Sequence, residues 1–80
     1  MTKIETLKKQ LQERQKIIRN KIDLYNNQKE KIINDLRALN FYSDYEIQEN
    51  EKVKDLSFSI DNLTSKNNEI LHTLIMIELL

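Results

Sequence analysis

The segment Leu39-Asn40-Phe41-Tyr42-Ser43-Asp44-Tyr45-Glu46-Ile47 divides the chain into two helical patterns. Ser43 followed three residues later by Glu46 is a capping box. The Ser43 hydroxyl accepts from the Glu46 N–H, and the Glu46 carboxylate reaches back to the Ser43 N–H. Tyr42 and Ile47 stand at the two positions of a hydrophobic staple, just before the cap and four residues after it. Asp44 and Glu46 place negative charge in the first turn, where the helix dipole favours it. Asn40 suits the left-handed conformation that closes a helix when no glycine is at hand. Together these signals predict a first helix over about 3–39, a corner over about 40–43 and a second helix over about 44–80.

Toward the N-terminus, Thr2 and Glu5 offer a second capping box. From there one heptad position is apolar without exception: Ile4, Leu11, Ile18, Tyr25, Ile32, Leu39. Such a repeat is the mark of a coiled-coil seam. The companion position is kept poorly, reading Lys8, Gln15, Ile22, Lys29, Leu36. Leu7, Ile17 and Leu24 lie on a flank, where they widen the apolar face.

Toward the C-terminus the seam is better written. Val53, Ile60, Asn67 and Leu74 form one row, and Leu56, Leu63, Ile70 and Ile77 the other. Residues 61–68, Asp-Asn-Leu-Thr-Ser-Lys-Asn-Asn, favour caps and turns over helix interiors. The heptad stays in phase across them, which favours a continuous but locally weak helix.

Two helices of nearly equal length, each roughly 55 Å at 1.5 Å per residue, joined by a short corner, form an antiparallel hairpin. Residues whose numbers add to about 83 then lie level, with Tyr25 near Phe58 and Ile60, Leu11 near Ile70 to Leu74, and Ile4 near Leu79. The expected fold class is therefore all-α. It is a coiled-coil-like antiparallel two-helix hairpin, a single domain over 1–80, assembling into a dimeric four-helix bundle or a larger helical complex.

Composition points the same way. Eighty residues bury a small share of their surface and are marginal alone. Gly, Pro and Cys are all absent, and there is one His. Disulfides and thiolate metal sites are thereby excluded, and phosphate-binding glycine loops with them. No cofactor is expected. Association with another chain is the remaining source of added stability.

Net charge is zero but unevenly spread. Residues 1–21 carry Lys3, Lys8, Lys9, Arg14, Lys16, Arg19 and Lys21 against Glu5 and Glu13. Residues 41–61 carry Asp44, Glu46, Glu49, Glu51, Asp55 and Asp61 against Lys52 and Lys54. A basic face can bind phosphates, yet overall neutrality and the lack of a known module argue against nucleic acid. The N-terminus lacks the apolar core of a secretory signal, and no apolar run is long enough to span a bilayer. The expected location is cytoplasmic or otherwise intracellular.

The candidate functional features lie on the second helix. An Asn in the seam can fix register and oligomeric state, which singles out Asn67. The run from Ile70 to Leu80 is apolar nearly all round, and the first helix can cover only one side of it. The expected partner or oligomer interface is therefore Val53, Leu56, Ile60, Leu63, Asn67, Ile70, Leu71, Leu74, Ile75, Met76, Ile77, Leu79 and Leu80. The expected partner is protein, as a homodimer or a helical hetero-complex. His72 lacks the neighbours that catalysis requires, and Glu49, Glu51 and Asp55 read as a solvated acidic face.

Ser57-Phe58-Ser59-Ile60-Asp61 is similar to the Ser-x-x-Leu-Asp signature of the small sporulation-type aspartyl-phosphate phosphatases. Those are two-helix hairpins that dephosphorylate response regulators, and Tyr42 to Ile47 looks loosely like their corner. The resemblance covers under a third of the chain and would give Asp61 the active role. The Gln usual after the Ser is missing, the corner has no Gly, and the spacing is longer. The leading expectation is thus a non-enzymatic interaction module such as an adaptor, assembly subunit or small inhibitor. The alternative is a two-helix phosphatase acting through Asp61.

Overall fold

The computed structural model describes residues 2–79. It contains three helices: α1 (Lys3–Ala38), α2 (Asp44–Gln48) and α3 (Glu51–Glu78). The long helices α1 and α3 pack antiparallel as a hairpin, and α2 is a short connector at the turn. The molecule measures 58 × 16 × 15 Å, the shape of a rod rather than a layered globule.

Local chemistry sets the ends of the elements. Thr2 caps α1, its hydroxyl accepting from the Glu5 N–H at 3.2 Å. At the other end Asn40 adopts φ 58°, the left-handed conformation expected of it, and its N–H donates to the Arg37 carbonyl. The Ser43 capping box is complete. Glu46 N–H donates to the Ser43 hydroxyl at 3.2 Å, and Ser43 N–H donates to the Glu46 carboxylate at 3.3 Å. Of the two staple residues, Ile47 is 1% exposed, whereas Tyr42 stays largely open to solvent.

The second helical segment differs from its expected course. A helix running unbroken from Asp44 does not form; the chain breaks at Glu49–Asn50 and restarts as α3. Asn50 is the reason for the restart, its Oδ1 accepting from both the Lys52 and the Val53 N–H groups. Phase is the deeper cause. A helix continuous with the Val53 row would turn Glu46 and Glu49 inward and Ile47 outward. The break lets Ile47 and Val53 both point inward, at 1% and 0% exposure. Lys54 spans it by pairing with Glu49. Residues 61–68, by contrast, lie in uninterrupted helix.

The seam follows the heptads. On α1 the inward residues are Lys8, Leu11, Gln15, Ile18, Ile22, Tyr25, Lys29, Ile32 and Leu36, all half-buried except Gln15, which is buried. The poorly kept row is thus as much part of the seam as the apolar one. On α3 the inward residues are Val53, Leu56, Ile60, Leu63, Asn67, Ile70, Leu74 and Ile77, with Ser57 and Ser59 also half-buried. At the open end Lys8 pairs with Glu78, both side chains remaining exposed to solvent. Midway, Lys21 and Tyr25 share a groove with Ser59, Asn62 and Leu63. Phe58, expected beside Tyr25, instead points out to solvent. Ser59 takes the seam side because it lies one turn from both Leu56 and Leu63.

Candidate interaction surface

The residues that sequence marked as an interface fall into two groups. Val53, Leu56, Ile60, Leu63, Asn67, Ile70, Leu74 and Ile77 are buried or half-buried against α1. They hold the hairpin together. Leu71, Ile75, Met76 and Leu79 are exposed, and they lie on the α3 side of the open end of the rod. Leu80 lies outside the described residues. Leu71, Ile75 and Leu79 recur every four residues, so they form one continuous stripe up α3.

α1 contributes more apolar surface than its flank suggested. Ile4, Leu7, Ile17 and Leu24 are all exposed, and Leu7, Gln10, Leu11, Glu13, Arg14 and Ile17 line an open groove on the helix. At the other end of the rod the exposed side chains are mainly aromatic. Phe41 is 83% exposed, and Tyr42, Tyr45 and Leu39 are also open; Phe58 is open nearer the middle of the rod. Sequence reasoning treated the corner as architectural and passed over these rings as a surface. Their spacing off the heptad rows was the available signal.

The surface area gives the scale. A compact chain of 9.6 kDa exposes about 5,100 Å², from the usual scaling with mass. This one exposes 6548 Å². The excess, about 1,400 Å² on that scaling, is what a single layer of two helices leaves open.

Two polar atoms inside the seam are also unmatched. Gln15 Nε2 and Asn67 Oδ1 are buried and have no hydrogen-bond partner among the described residues. Lys8 pairs with Glu78; one heptad along each strand of the hairpin from that pair come Gln15 and Leu71, and Asn67 is one turn beyond Leu71. A spare donor and a spare acceptor therefore sit on facing rows within about a turn of each other, roughly 6 Å along the axis.

Other candidate groups are dispersed. His72 is exposed on α3, beside Ser65, Asn68, Glu69 and Thr73 in an open depression. Asp61 is exposed on α3, and Ser57 points its hydroxyl back to the Val53 carbonyl at 2.8 Å. The hydroxyl is thereby engaged with its own helix. Glu49, Glu51 and Asp55 are exposed, as expected of a solvated face. Among the described residues, no helix is long and apolar enough to cross a membrane.

No protein-family model, curated protein or solved structure matches this chain.

Proposed function

We propose that this chain is a non-enzymatic helical protein–protein interaction module, serving as an adaptor, an assembly subunit or a small inhibitor that masks a partner's surface. One observation carries the reading: large apolar side chains at both ends of the rod stand outside the seam and open to solvent. Exposed apolar groups such as the Leu71, Ile75 and Leu79 stripe mark interaction sites on soluble proteins. The hairpin's own seam supports the same conclusion. It holds few fully buried apolar residues and includes Lys8, Gln15, Lys29 and Asn67, so a lone hairpin has little packing to draw on.

The outward residues provide the test, because changing them leaves the seam intact. Light scattering compares the natural chain with a Leu71→Ser, Ile75→Ser, Met76→Ser variant, alongside affinity capture from native cell lysate. The natural chain is expected in an assembly, either with itself or with a captured protein, and the variant is expected to be released from it. A folded monomer in both forms that retains no protein from lysate refutes the reading.

A further inference from the structure

We infer that the surface is completed by a second copy of this chain, docked antiparallel, so that the acidic corner of each copy lies against the basic open end of the other. This inference rests on the interaction-module reading and names its partner.

Charge is the first argument. The open end, residues 1–21 and 65–80, holds eight basic and four acidic side chains; residues 22–64 hold five basic and nine acidic. The hairpin is therefore a dipolar rod with its charge separated along a 58 Å axis. Two such rods side by side attract when antiparallel and repel when parallel.

The exposed aromatics divide along the same line, while exposed aliphatics occur in both halves, Leu24 and Leu39 among them in the acidic one. Aromatic Phe41, Tyr45 and Phe58 are exposed in the acidic half, and aliphatic Leu71, Ile75 and Met76 in the basic half. Antiparallel docking brings the corner aromatics Phe41 and Tyr45 toward the aliphatic group at the partner's basic end, where ring faces can also gain from Lys and Arg. Parallel docking would stack acids on acids around the rings.

Area is the third argument. The surplus of about 1,400 Å² per chain lies in the range of roughly 1,000–2,500 Å² per partner that obligate dimers bury. Antiparallel twofold docking uses the same contact twice and closes at two copies, whereas an end-to-end contact would propagate into a filament.

The test exploits the absence of cysteine. A spin label on Gln48→Cys reports corner-to-corner distance without changing charge, and mixing it with Gln12→Cys reports corner to open end. The expected mass is twice 9.6 kDa. The corner-to-corner separation should approach the 58 Å length of the rod, and the mixed pair should be close to its 15–16 Å width. Raising salt, or making Lys9→Glu, Lys16→Glu and Arg19→Glu together, should weaken dimerisation at least about tenfold. A short corner-to-corner distance means a parallel dimer and overturns the arrangement while leaving the interaction module standing. Growth beyond two copies overturns the closed twofold contact. A chain that stays monomeric at all concentrations overturns the second copy as partner, and the module reading is then decided by the lysate capture.

Discussion

Asn67→Leu should stabilise this protein. Asn67 sits on the α3 seam with a buried Oδ1 that no donor among the described residues meets. A buried polar atom left unsatisfied costs about 1–3 kcal/mol relative to an apolar replacement that fits. Leu also extends the apolar row formed by Val53, Ile60 and Leu74, though at a half-buried position that adds only about 1 kcal/mol. Extra bulk against α1 takes some of this back. A net gain of about 1–3 kcal/mol remains, which in a chain of this size raises the unfolding midpoint by about 5–20 °C. The assay is thermal unfolding by circular dichroism, with natural and variant chains at the same concentration because association shifts the midpoint. A midpoint below that of the natural chain refutes the reasoning, since it means that Oδ1 has a partner whose bond the variant breaks. Gln15→Leu makes the same prediction for the facing Nε2. The double variant then separates two cases. Independent orphans give nearly additive gains, whereas an amide pair bonded to each other makes each single change costly and leaves a coupling of about 1 kcal/mol in the cycle.

The turn chemistry yields further expectations. Asn40→Ala should cost about 1 kcal/mol and Asn40→Gly little or nothing, because φ 58° places Cβ against the following carbonyl; urea midpoints report both. Asn50→Ala should lose about 1 kcal/mol, with amide exchange accelerated at Lys52 and Val53, the two N–H groups it caps. Asp61→Ala should leave phosphate release from a phosphorylated response regulator at background level, as for the natural chain; release that depends on Asp61 would reinstate the phosphatase alternative.

Much of the hairpin could be read from residue order because its signals are local and periodic. The Ser43 box, the left-handed Asn40 and the α3 rows each depend on neighbours within a few positions. The break at Glu49–Asn50 was legible too, but only by following phase. Ile47 does not fall on the rows that contain Val53, and the in-phase positions, Glu46 and Glu49, are charged. Asn50 lies between two Glu residues that read as a solvated face, and its capping role depends on that phase conflict. The α1 seam was harder to judge. Lys8, Gln15 and Lys29 look like surface residues, yet a rod of two helices gives them nowhere to turn except the partner helix. Lys can accept such a place by burying its stem and keeping its ammonium at the edge, as Lys8 does in pairing with Glu78. The outward group Leu71, Ile75, Met76 and Leu79 was separable from the seam by heptad position, but its extent depended on how little α1 could cover.

A seam built in this way links folding to assembly. Each polar residue at an inward position lowers the packing that one hairpin can supply, while the large side chains that would ordinarily form a core are left on the outside. On the proposed self-association, the free energy of association is a large share of the folding free energy, as it is for obligate dimers. The consequence is measurable without knowing the partner. The unfolding midpoint of the natural chain should rise with protein concentration, by an amount that follows mass action, and the Leu71→Ser, Ile75→Ser, Met76→Ser variant should lose both the stability and the dependence. Replacing Gln15 and Asn67 by Leu should act in the opposite sense. It should add packing inside the hairpin, raise the midpoint at low concentration most, and flatten the dependence from below. A midpoint independent of concentration in the natural chain would mean that the two-helix seam is sufficient on its own, despite its polar row.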